Sequence, residues 1–220
     1  MGWATEERAL LCALLAETGP GAPTLCEGWR TLDLAAHLVL RERHPAAAAG
    51  VLGGPLKTHT ALTQRKLAAT PYQELLAKLA AGPPRLSLFG VPGMDERLNL
   101  SEFFVHHEDV RRAAGGWEPR PLTAARADIL WRRLRGARML FRKVPVGVEL
   151  VRGDSPPDST ADGVAGRVRL TVRARVPMVT VTGDPGELTL WVMGRVTAAR
   201  VTLDGAPGDV AMLARGGWGV

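Results

Sequence analysis

Ser101-Glu102-Phe103-Phe104-Val105-His106-His107-Glu108-Asp109-Val110-Arg111-Arg112 is the stretch on which the fold turns. Its pattern predicts a helix that begins near Asn99 or Ser101 and stops at Gly115-Gly116. Glu102 and His106 stand four residues apart. At 3.6 residues per turn they project about 40° apart on one face, roughly one turn along the axis. A carboxylate and an imidazole so placed can grip one metal ion together. The same spacing also suits a solvated charged face. Phe103, Val105 and Val110 weigh against that, because a helix that is apolar on several sides is mostly buried. Buried Glu and His need partners, since an unpaired buried charge is costly. Two ligands do not make a site, so at least one more has to come from elsewhere in the chain.

Working towards the N-terminus, Asp33-Leu34-Ala35-Ala36-His37-Leu38-Val39-Leu40-Arg41-Glu42-Arg43 predicts a helix opening at Thr31 or Asp33 and ended by Pro45. Leu34, His37, Leu38 and Arg41 share one face of it. His37 therefore projects from an apolar stripe, either as a core histidine bonded to a carbonyl or as the missing metal ligand. Asp33, one turn earlier, could steady its ring from behind. A further helix is expected from Thr5 to Thr18, with Thr5 as its cap and Leu10, Leu11, Leu14 and Leu15 as its apolar face. Another runs from about Thr58 to Ala68. Thr70-Pro71-Tyr72-Gln73-Glu74 combines a cap, Pro at the first helical position and a capping Glu, and opens a helix to Ala81. Leu86 to Arg97 reads as irregular, and Pro121-Leu122-Thr123 opens a long helix to about Phe141.

Residues 1–143 thus read as a bundle of four or five helices. From about Pro145 the pattern changes to alternation. Val146 to Val151, Val164 to Val176, Val179 to Thr182 and Ala199 to Leu203 read as strands, and Asp184 to Arg195 as one capped helix. Residues 144–220 are therefore expected to form a small α+β domain, and the whole chain to be α+β.

At 220 residues the chain has room for one large domain or two small ones. With 46% hydrophobic and 23% charged residues it falls among ordinary globular proteins. No apolar run reaches the length of a membrane span. Met1 to Glu7 has neither the basic region nor the apolar core of a secretion signal. Cys12 and Cys26 are too few for a disulfide framework, so a cytoplasmic location is expected. The net charge is +6, and Arg supplies nearly all of it, the lysines being Lys57, Lys66, Lys78 and Lys143. The arginines are spread out, apart from Arg132-Arg133-Leu134-Arg135 and the alternating Arg167, Arg169, Arg173 and Arg175. That distribution suits an anionic small substrate better than nucleic acid.

Thr24-Leu25-Cys26-Glu27-Gly28-Trp29, followed by Asp33-Leu34-Ala35-Ala36-His37-Leu38, resembles the opening of the mycothiol-dependent maleylpyruvate isomerase family, part of the wider DinB-like metal-binding bundles. Glu102-x-x-x-His106-x-x-Asp109 looks like that family's second metal motif. Gly183-Asp184-Pro185-Gly186-Glu187-Leu188 through Trp191-x-x-Gly194-Arg195 resembles the small C-terminal domain of the same actinobacterial proteins.

The resemblance implies a divalent metal, zinc, held by His37, Glu102 and His106 with an open position, unlike a closed structural site. It implies Asp109 behind the ligands, beside Asp33, and Arg195 as a substrate-binding residue. His107 lies roughly 140° around the helix from Glu102 and reads as a supporting or packing residue rather than a ligand. Cys26 reads as a small buried residue after a turn. The implied activity is isomerisation or S-transfer on a small electrophilic anion with a thiol, mycothiol, as cosubstrate. A zinc-water hydrolase of the same fold and a non-catalytic metal-binding protein are the alternatives. The partners expected are that substrate and thiol, without nucleic acid or membrane, for a monomer or homodimer.

Overall fold

The computed structural model describes residues 2–44, 47, 55–84, 94–154, 168–215 and 218, and the backbone alone at 94, 95, 97 and 98. The described residues form a mixed α+β protein of helices and a four-stranded sheet. They fall into two units, Met1–Glu118 and Pro119–Val220.

The first unit is helical. It contains α1 (Trp3–Thr18), α2 (Thr31–Arg43), α3 (Lys57–Ala68), α4 (Tyr72–Ala80) and α5 (Met94–Ala113). Ala4, Leu11 and Leu15 of α1 are buried, but so are Glu7 and Arg8, while Leu10 is 46% exposed. The buried face is thus rotated from the one expected, and it is partly polar. It turns towards α5, along which α1 packs. Helix α1 starts before Thr5, and Glu96 of α5 accepts from the Ala4 N–H at 2.9 Å, as a cap would. Helix α5 begins at Met94, inside the stretch expected to be irregular. Residues 85–93 of that stretch lie outside the described residues. Every residue from Phe103 to Val110 is buried, so the mostly buried helix read from the sequence is the one found.

The second unit starts before the boundary expected at residues 143 and 144. Helix α6 (Ala124–Arg133) is capped by Thr123, whose hydroxyl accepts from the Arg126 N–H at 3.4 Å. The chain then tightens into a 3₁₀ helix over Leu134–Lys143, where one long α-helix was expected. Leu134, Ala137 and Phe141 lie buried on it at spacings of three and four, and they join the apolar core of the sheet. That shared core is why the boundary falls at Glu118 rather than after Phe141. The sheet is built from β1 (Gly147–Arg152), β2 (Arg169–Arg173), β3 (Met178–Gly183) and β4 (Thr202–Asp204) in the order β2-β1-β3-β4. Strands β1 and β3 run parallel, and the two outer pairings are antiparallel. Residues 164–167 of the expected second strand lie outside the described residues.

Alternation puts Val148, Leu150, Val172, Val179 and Val181 on the covered side of the sheet, against Leu188 and Trp191 of α7 (Pro185–Val192). Trp191 stacks on Phe141 at 5.6 Å, and Trp218 closes on both rings. Helix α8 (Pro207–Arg215), not anticipated from the sequence, adds Leu213 to this core. Among the described residues no helix is long and apolar enough to cross a membrane.

Gly147 starts β1 where two backbones nearly touch, its N–H donating to Pro177 O at 2.7 Å. A Cβ there would run into the Arg175 carbonyl and lie 2.8 Å from Met178 Sδ. Gly147→Ala is therefore expected to cost about 1–3 kcal/mol of stability through overpacking. Urea denaturation followed by circular dichroism measures this, and an unchanged midpoint would show that the strand end yields freely.

Candidate metal centre

Three elements deliver the side chains. His37 and Arg41 stand one turn apart on α2, so both project from the same face. Glu102, His106 and Asp109 lie within about 60° of one another on α5. The third element is the turn Thr24–Trp29, which carries Cys26. The Thr24 hydroxyl donates to Trp29 O at 3.0 Å and accepts from the Cys26 N–H at 3.2 Å. Gly28 sits at φ 73°, a left-handed conformation that favours glycine. Leu25 N donates to Asp109 O at 3.0 Å and fastens the turn to α5.

The side chains converge on Glu102 Oε1. His106 Nε2 lies 3.0 Å from it, His37 Nε2 3.5 Å and Arg41 Nη1 3.0 Å. On its other nitrogen, His106 Nδ1 lies 2.8 Å from Asp109 Oδ2. The Cys26 thiol donates to the same Oδ2 at 3.3 Å. Trp29 covers His37, with ring centroids 5.0 Å apart, and the two imidazoles meet edge to face at 5.4 Å.

Burial and charge oppose each other here. Burial alone would raise the Glu102 carboxyl, yet hydrogen bonds from His106 and His37 and the charges of His106 and Arg41 hold it well below the carboxylate range. Burial likewise disfavours a charged His106, but hydrogen bonds to Asp109, Cys26 and Glu102 keep it well above the ordinary imidazole value. His37 behaves the opposite way. Burial lowers it, and the hydrogen bond to Glu102 does not restore it.

His37, Glu102 and His106 each offer a ligand atom, and the three atoms lie within 4.8 Å of one another. A four-coordinate ion with bonds near 2.0–2.1 Å needs donors about 3.3 Å apart. The separations of His106 and His37 from Glu102, 3.0 and 3.5 Å, bracket that value, so the donor set fits a divalent ion. Asp109 on Nδ1 leaves Nε2 of His106 as the ligating nitrogen. A second group, Cys26, His106 and Asp109, also lies within metal-ligand reach. It shares His106 with the first, so a single ion cannot use both nitrogens of that ring.

The other expected residues are placed as follows. Asp33 Oδ2 accepts from the Arg30 N–H at 2.9 Å, so its carboxylate caps α2 instead of steadying His37. His107 turns away from the cluster, and its Nδ1 meets Glu7 Oε2 of α1 at 3.1 Å. Arg195 belongs to the second unit, where it follows α7 and donates from Nη1 to Met193 O at 2.6 Å. Arg41 and Cys26 are the members that sequence reasoning left without a role. Arg41 already shared a helical face with His37, and that was the available signal.

Replacing Asp109 by Asn removes the carboxylate behind His106. Metal affinity is then expected to fall about 10–100-fold, as read by competition with a chromophoric chelator. The two cysteines also differ in setting. Burial pushes the Cys12 thiol up to about 11, opposed by Arg8 and assisted by Glu42. Cys12 is expected to resist iodoacetamide at neutral pH in the native protein and to react once it is unfolded, by mass spectrometry of tryptic peptides.

Compared with protein-family models, with curated proteins and with solved structures, the chain matches none of them.

Proposed function

We propose that this protein is a zinc-dependent enzyme that uses a low-molecular-weight thiol to isomerise or S-conjugate a small anionic electrophile. The convergence of His37 Nε2, Glu102 Oε1 and His106 Nε2 at one partly open place carries the reading. The DinB-like character of the helical unit, and mycothiol as the thiol, rest on the sequence resemblance.

Two imidazoles and one carboxylate form a donor set of catalytic zinc sites, where a structural site would be closed and usually rich in Cys. Glu102 keeps 17% of its side chain exposed and Arg41 19%, so this edge of the cluster reaches solvent. A bound ion would supply Lewis acidity and lower the pKa of a thiol brought to it. His37 and His106 would hold the ion through Nε2 and Glu102 through Oε1. Asp109 keeps the proton on Nδ1 of His106 and fixes that ring. Arg41 places a permanent positive charge beside the ligands, which favours a substrate carrying a carboxylate. Trp29, against His37, gives the site an apolar wall.

The test starts from zinc-loaded protein, with metal content read by elemental analysis and mycothiol titrated by calorimetry. The expected result is stoichiometric zinc and mycothiol binding that requires it, both lost in His106→Ala with the helical signal intact. Full metal content in His37→Ala, Glu102→Ala and His106→Ala would remove the site. Zinc bound without affinity for the thiol, together with turnover of simple esters, would make the protein a hydrolase. Zinc bound with neither property would make it a binding protein.

A further inference from the structure

We propose that the second unit holds a separate site for a phosphate group, in the cleft between the 3₁₀ helix Leu134–Lys143 and strand β2. The cleft measures about 470 Å³ and is lined by Arg138 and Arg142 of the helix and by Thr171, Val172, Arg173 and Ala174. It stands apart from the metal reading and does not depend on it.

Three observations point to an anion. First, Arg138, Arg142 and Arg173 make no ion pair with a described residue. Two other arginines of the unit are neutralised: Arg152 binds Asp128 and Asp154, and Arg169 binds Glu149 at 2.5 Å. Second, three of the residues that line the cleft are arginines and none is a carboxylate, so nothing of opposite sign stands among its walls. Third, Nε of Arg173 is buried and has no hydrogen-bond partner. A buried donor left unpaired costs free energy, and a bound ion is one of the ordinary explanations.

The geometry favours a phosphate. Arg138 donates from Nε to Thr171 O at 3.3 Å, which ties its guanidinium to the rim of β2. Guanidinium groups present paired donors that match the oxygens of phosphate and carboxylate. Three unneutralised charges suit a doubly charged phosphate better than a single carboxylate. The volume lies within the range of small-molecule sites and leaves room for an organic body on the phosphate. The source is then either free phosphate or a small phosphate monoester.

Inorganic phosphate and glycerol 3-phosphate are the probes, titrated by calorimetry into the whole chain with sodium chloride holding the ionic strength. Saturable binding at one site is expected, at least about tenfold weaker in Arg173→Gln and in Arg138→Gln/Arg142→Gln. Arg135→Gln, an exposed arginine outside the cleft walls, should bind as the unaltered protein does. Tighter binding of glycerol 3-phosphate than of phosphate identifies a monoester site, and equal binding identifies free phosphate. Arg138 and Arg142 are exposed, so their variant keeps the test sound if Arg173→Gln fails to fold. No saturable binding, or equal weakening in Arg135→Gln, would overturn the proposal. Preferential binding of a single-stranded oligonucleotide, weakened alike by all these variants, would overturn it in favour of a nucleic-acid surface.

Discussion

The imidazole of His106 lies between two carboxylates, Glu102 on one nitrogen and Asp109 on the other, and all of this is buried or nearly so. Taking several charges out of water costs several kcal/mol each unless they satisfy one another. The helical unit is arranged around that requirement. Glu102 gathers His106, His37 and Arg41, and Asp109 gathers His106 and the Cys26 thiol. The atoms that bind each other here are also those an ion would take. Uptake of an ion there would displace the proton between His106 and Glu102 and so would be coupled to proton release.

The same rule accounts for the rest of α5. Its polar residues point in several directions, and the helix finds a partner on each side. His107, roughly 140° round from Glu102, meets Glu7 of α1. Glu108 is fully buried and takes Arg111 and Arg112 at 2.8 and 2.6 Å, while Arg112 also lies over the Trp117 ring. Near the start of the helix, Asn99 donates to Glu42 of α2, which also holds Arg8 of α1. A one-residue rotation of α5 would turn it by about 100° and strand several of these groups together. Apolar contacts such as Phe103 and Val105 tolerate small rotations, whereas directional ion pairs do not. The polar network thus sets the helical register and brings Glu102 and His106 opposite His37.

This explains what the sequence could and could not disclose. Glu102, His106 and His37 were legible because helical periodicity alone fixes which face each occupies. Arg41 was on the right face, but nothing local says that a long flexible side chain ends on a carboxylate of another helix. Asp33 misled because an acidic residue at the third position of a helix serves equally as a cap or as support for a neighbouring imidazole, and only the Arg30 N–H decides between them. The run from Pro121 to Phe141 has good helical spacing, yet its second half packs on the sheet as a 3₁₀ helix. That outcome depends on the surface it meets, which periodicity does not encode. Helix α8 carries one buried residue, Leu213, so its apolar signal is weak. The strand read over Ala199 to Leu203 forms only as the exposed β4, Thr202–Asp204, because its ladder to β3 and not an apolar face sets its bounds.

The two units satisfy their arginines differently, and the surplus charge of the chain follows from that difference. In the helical unit Arg8, Arg41, Arg111 and Arg112 are each bound to a carboxylate, and Arg8 and Arg112 are buried with theirs. In the sheet unit the core is apolar, built from Val148, Leu150, Val181 and Trp191, and asks nothing of charged residues. Several of its arginines lie at the surface, where water can support an unpaired cation. Solvation explains the exposed Arg135 and Arg175, but it does not explain a guanidinium nitrogen buried without a partner. Among the described members of the alternating arginine row, Arg173 joins a buried, unpartnered Nε to a place in the cleft wall, which surface solvation does not account for.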